Sequence, residues 1–68
     1  MRLYRFLTGP DDSSFCHKVT AALNKGWLLH GGPTYAFDAK TQTMRCGQAV
    51  YKEVEGVDYT PEMKLGDY

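Results

Sequence analysis

Hydrophobic and polar positions along this chain change period three times, and each change marks an element. Leu3-Tyr4-Arg5-Phe6-Leu7-Thr8 is apolar or aromatic at most positions and is closed by Gly9-Pro10, the signature of a strand ended by a turn. From Asp11 to Trp27 the apolar positions recur at helical steps instead. Phe15, Val19, Ala22 and Leu23 form an inward stripe with Cys16 at its edge, while Lys18, Thr20, Asn24 and Lys25 point elsewhere. Asp11 or Asp12 can cap this helix, with Ser13 and Ser14 in its first turn, because a short acceptor side chain satisfies the free N–H groups there. Asn24-Lys25-Gly26 ends it with a basic last turn and a glycine able to take the left-handed cap. Trp27 is then positioned to bury beside Leu23.

Strand-like patterning resumes at once. Trp27-Leu28-Leu29-His30 starts a second strand, Gly31-Gly32-Pro33 interrupts it as a bulge or kink, and Thr34-Tyr35-Ala36-Phe37 continues it. Asp38-Ala39-Lys40-Thr41 turns the chain, and Gln42 to Val54 returns as the longest strand. The second and third strands therefore form a hairpin. A helix linking the first and second strands implies a right-handed crossover with the third strand between them. The expected fold is α+β, a βαββ unit with one helix on a three-stranded, mainly antiparallel sheet in the order one-three-two.

Residues 1–54 make up this single domain, and residues 55–68 form a tail of different character. The tail is acidic and glycine-punctuated, yet carries Val57, Tyr59, Met63, Leu65 and Tyr68. So many large apolar residues suit a segment lying against its own domain or a partner subunit. Thr60-Pro61-Glu62 has the form of a cap followed by proline at a first helical position, which predicts a short helical turn.

With 68 residues the core is marginal, and chains of this size usually rely on a disulfide, a metal, oligomerisation or unusually good packing. Two cysteines are too few for a disulfide-framed secreted scaffold. The N-terminal apolar run is too short for a signal peptide and contains an arginine, and no stretch has the length of a membrane span. A cytoplasmic setting with reduced thiols is the expectation. The eight Lys and Arg residues balance the eight Asp and Glu and are scattered, so the basic stripe of a nucleic-acid binder is missing.

One helix covers one face of a three-stranded sheet, so the other face is left for water or a partner. Small Gly47 and Ala49 would let the helix sit close and would place Tyr51 on the same side. Cys46, Gln48 and Val50 would then point outward, with the opposite register remaining open. On that assignment the interface candidates are Leu3, Leu7, Gln48 and Val50 on the sheet, with Tyr59, Met63, Leu65 and Tyr68 on the tail. A homodimer through the sheet face or an edge is favoured over a tail that folds back to cover the surface alone.

No constellation of residues assembles into a recognisable catalytic centre. Cys16, His17, His30 and Cys46 lack the paired short spacing of a zinc site, and adjacent Cys16 and His17 diverge by about 100° around a helix. No metal or cofactor is therefore expected. A Cys16 nucleophile near the helix start would need an oriented histidine base, and Asp11 and Asp12 oppose its ionisation; packed thiols, or a Cys16–Cys46 disulfide, are the plainer alternatives. The approach to the helix lacks the lysine of a phosphate-binding loop. Tyr4, Phe6, Tyr35, Phe37 and Tyr51 could form a stacking platform for a small ligand or single-stranded nucleic acid, but without a basic surround.

Tyr4-Arg5-Phe6-Leu7-Thr8-Gly9, Phe15-Cys16, Val19, Ala22-Leu23, Gly26-Trp27, Leu29, Gly31, Pro33 and Cys46-Gly47-Gln48-Ala49 follow one another in a fairly specific order and spacing. From Tyr4 to about Val54 the chain resembles the small bacterial and phage family known as domain of unknown function 1737. Leu28 departs from the polar residue expected beside the tryptophan, which enlarges the apolar surface. The resemblance implies a compact α+β domain and brings no established activity, catalytic residue or ligand, so it supports the fold and leaves function open. The sequence thus points to a non-enzymatic accessory module that self-associates or binds a protein partner, with ligand or nucleic-acid binding as the alternative.

Overall fold

In the computed structural model, which describes residues 1–68, the chain runs β1 (Arg2–Pro10), α1 (Ser13–Asn24), β2 (Leu28–Asp38) and β3 (Thr43–Glu53). The strands form one antiparallel sheet in the order β1-β3-β2, so the α+β βαββ topology expected from the sequence is the observed one. No helix is long and apolar enough to cross a membrane.

Asp12 is the helix cap. It is extended at φ −151°, and its carboxylate accepts from the Ser14 backbone N–H at 2.8 Å and the Ser14 hydroxyl at 2.5 Å. These donors favour the charged carboxylate and hold Asp12 below its usual pKa, the hydroxyl contributing most. At the other end Gly26 takes φ 97°, while the Trp27 N–H donates to Ala22 O and the Gly26 N–H to Leu23 O, both at 3.1 Å. This paired closure is the Schellman arrangement, and the left-handed glycine makes it accessible without strain. It delivers Trp27 into the core at 1% exposure.

The core is Leu3 and Leu7 from β1, Val50 from β3, Ala22 from α1, and Trp27. Phe15, Val19, Leu65 and Tyr68 pack around it half-buried. The Arg5 guanidinium lies 5.4 Å from the Trp27 ring centroid, a cation–π contact. The indole N–H meets no acceptor, so packing and Arg5 hold the ring in place. Of the expected helical stripe, Ala22 is fully buried, whereas Leu23 remains 41% exposed and Cys16 is exposed. Trp27 therefore buries against Ala22 and the sheet, since the Schellman closure turns the chain beneath that side of the helix.

The register of faces is the opposite of the one that placed Gly47, Ala49 and Tyr51 beneath the helix. Leu3, Leu7, Gln48 and Val50 are buried at 2%, 4%, 6% and 0% exposure on the helix side, so these four interface candidates are unavailable in the folded chain. On that side Leu3, Leu7 and Val50 close around Ala22 of the helix and Trp27 as one packed cluster. Gly47 faces away, and the Phe6 ring lies across it. A Cβ added there would stand 3.0 Å from Phe6 Cε2 and 2.7 Å from Thr34 Oγ1.

Gln48 has a structural task. Between His30 and Thr34 the β2–β3 register shifts at Gly31-Gly32-Pro33, so β2 is continuous but bulged. The bulge takes carbonyls out of the ladder, and the Gln48 side-chain amide donates to those of His30 at 3.3 Å and Gly31 at 3.2 Å, and to its neighbour Ala49 at 2.9 Å. A buried amide that serves the bulge in this way replaces the ladder bonds it displaces.

The tail docks on its own domain. Met1 and Val54 exchange backbone bonds, the Met1 ammonium donating at 2.8 Å and the Val54 N–H at 2.7 Å. The Met63 N–H donates to Thr60 O at 3.1 Å, closing the turn expected there, and a 3-10 turn follows at Leu65–Asp67. Lys25 Nζ donates to Gly66 O at 2.9 Å, and Lys52 Nζ to the carbonyls of Lys25, at 2.6 Å, and Tyr68. Leu65 and Tyr68 thereby rest on the core, Met63 is half-buried, and Tyr59 stays 61% exposed.

Candidate interaction surface

Because side chains alternate across a strand, the pairing of the three strands determines which of them share the face opposite the helix. Tyr4 pairs with Tyr51, Phe6 with Ala49 and Thr8 with Gly47 on one side of β3; Leu28 pairs with Tyr51, His30 with Ala49 and Thr34 with Gly47 on the other. This open face therefore carries Tyr4, Phe6 and Leu28 at 58%, 50% and 54% exposure around half-buried Ala49 and Tyr51. Leu28 is the residue that departs from the expected polar one, and it adds its side chain to this patch.

Polar groups frame the open face without making it strongly charged. The Arg2 guanidinium pairs with Glu53 at 2.5 Å, which holds it above its ordinary pKa, and lies 5.7 Å from the Tyr51 ring centroid. His30 meets Tyr51 edge to face, with centroids 6.1 Å apart and planes at 84°. Arg2, Tyr4, His30 and Tyr51 line a shallow depression of about 330 Å³. With Arg2 already neutralised by Glu53, this cup offers stacking surface but little unpaired charge.

The aromatic platform read from the sequence is divided between two faces. Tyr4, Phe6 and Tyr51 share the open face, whereas Tyr35 and Phe37 pair with Cys46 and Met44 and so belong to the helix side. The bulge sets Gly31, Gly32 and Pro33 opposite Gln48 alone, an even excess of two, so the alternation of β2 is the same on both sides of it. Tyr35 and Phe37, 62% and 59% exposed, lie beyond the reach of α1, which leans toward β1 with Phe15 against Gly9 and the Lys18 ammonium on Thr8 O at 2.8 Å.

Asp11, not needed as a cap, sits between α1 and the hairpin. It accepts from the Tyr35 hydroxyl at 3.2 Å and the Cys46 thiol at 3.7 Å. Burial and then the Asp11 charge push the Cys46 thiol up, and the same carboxylate raises Tyr35. Each shift favours the neutral form, the reverse of what an activated nucleophile needs. Cys16 and Cys46 are both free thiols, and no three of the His, Cys, Asp and Glu side chains converge as a metal site.

No curated protein and no solved structure matches the chain. Residues 1–53, which contain the helix and all three strands, match the family described as domain of unknown function 1737, and the chain belongs to that family.

Proposed function

We propose that this chain is a small, non-enzymatic accessory module of a bacterium or phage, working in the cytoplasm by binding protein through the open face of its sheet. The observation that carries this reading is the contiguous apolar patch of Tyr4, Phe6, Leu28 and Tyr51, left uncovered by α1 and by the docked tail. Apolar patches of this kind on small domains mark interaction sites, because leaving them in water costs about 25 cal/mol per Å². The tail contributes Leu65 and Tyr68 to the core, which leaves Tyr59 as its contact residue.

In-cell hydroxyl-radical footprinting tests the reading. Tyr4, Phe6, Leu28 and Tyr51 should be protected in cells producing the chain relative to the dilute purified protein. Equal labelling in both settings would remove it. A second reading, stacking of single-stranded nucleic acid or a planar ligand on Tyr4 and Tyr51, is favoured by the cup they share with Arg2 and His30. Retention of mixed-sequence oligonucleotides at low salt, lost on Tyr4→Ala, would support it over the protein-binding reading.

A further inference from the structure

We infer that the occupant of the open face is a second copy of this chain, stacked sheet to sheet about a two-fold axis. The inference rests on the reading of that face as a protein-binding surface and names its partner. Surface area gives the first argument. The chain exposes 4913 Å² at 7.7 kDa, whereas a compact monomer of that mass exposes about 4300 Å². Its radius of gyration is 13.4 Å, against about 11 Å for a compact domain of this length. The excess of about 600 Å² approaches the roughly 800 Å² that each partner contributes to an ordinary stable interface. Only 9 of 68 residues are buried, so the isolated fold has an incomplete core and gains most from a partner that supplies a second layer.

The β2 edge is a poorer place for this association than the face. The β2 edge is broken midway by Gly31-Gly32-Pro33, where proline offers no donor and the bulge twists the ladder away. The face, in contrast, offers side chains from all three strands. Its central strand presents small Gly47 and Ala49, and β1 carries the bulky Tyr4 and Phe6, opposite Leu28, His30, Thr34 and Ala36 on β2. A two-fold axis along the strands lays β1 of one copy over β2 of the other and the small centre of β3 over its equivalent. Sheets stacked in this aligned way sit about 10 Å apart, room for one interdigitated layer of side chains.

Charge points to the same occupant. The net charge is zero, so two identical copies approach without overall repulsion, and nothing draws the face to a polyanion. On the face itself Arg2 is neutralised by Glu53 within the same copy.

Sedimentation equilibrium on the full chain, from micromolar to near-millimolar concentration, tests the inference together with L28E and L29E. Leu28 and Leu29 are 54% and 52% exposed on opposite faces, so each glutamate is accommodated by the folded chain, which far-UV circular dichroism verifies. The expected result is a two-chain mass for the wild type, at least about tenfold weaker association for L28E, and none lost in L29E. Concentrated wild type should also protect Tyr4 and Phe6 from hydroxyl radicals. A one-chain mass at every concentration, or dissociation by L29E and not L28E, overturns the second copy as occupant. A monomer whose open face is still protected in cells leaves the binding reading standing, whereas an unprotected face removes both.

Discussion

Gly47 and Phe6, replaced by alanine singly and together, report directly on the β1–β3 pairing that sets them on one face of the sheet. In the structure the Phe6 ring lies over Gly47, and an alanine Cβ would come within 3.0 Å of Phe6 Cε2 and 2.7 Å of Thr34 Oγ1. Gly47→Ala should therefore displace the ring and the Thr34 hydroxyl. Overpacking of this kind costs about 1–3 kcal/mol, offset by about 0.4–1 kcal/mol from the stiffer unfolded chain. Phe6→Ala removes a ring that is 50% exposed, so about 100 Å² of buried apolar surface and about 2 kcal/mol are lost. In the double variant the ring is gone and the new methyl group meets only the Thr34 hydroxyl, which can rotate away. The Gly47→Ala cost should then nearly vanish, leaving a coupling of about 1–2 kcal/mol between the two positions. Urea unfolding at low micromolar concentration, where self-association does not contribute, reads all four corners of the cycle. Additivity within about 0.5 kcal/mol would refute the argument, because a β1–β3 register shifted by one residue would put Phe6 and Gly47 on opposite faces.

Three further outcomes follow from other contacts. Gln48→Leu keeps the volume but removes the donor to the His30 and Gly31 carbonyls, so stability should fall by about 1–3 kcal/mol, with amide exchange accelerated first around the bulge; unchanged exchange there would exclude the clamp. Asp12 has a lowered pKa in the folded chain, so its contribution is fully present above the ordinary carboxylate value and is lost as pH falls through the folded value. Asp12→Ala should accordingly melt lower than wild type at neutral pH and converge with it in acid, which melting curves across that range check. Exposed Cys16 should react with a thiol reagent in the native state and Cys46 only on unfolding, as its burial and bond to Asp11 require; equally fast labelling of both would contradict the placement of Cys46.

The sequence by itself determined the element order, the capping chemistry and the topology. Asp12 and Gly26 act through neighbours within a few residues, so their roles are local and legible, and a helix between two strands leaves few ways to order a small sheet. The face assignment was not legible. Leu3 and Leu7 alternate with Tyr4 and Phe6, so β1 is apolar on both sides, and a one-residue shift of register exchanges core for surface without changing the pattern. Tertiary packing decided it: the helix presents Ala22, the Schellman closure inserts Trp27 beside it, and Leu3, Leu7 and Val50 are the sheet side chains that close around them. Strand pairing decided the rest, because Tyr35 and Phe37 lie opposite Cys46 and Met44 and so fall on the helix side, away from Tyr4 and Phe6. Local chemistry thus named the parts, while long-range packing around Trp27 chose the buried face and left the Tyr4, Phe6 and Tyr51 face open.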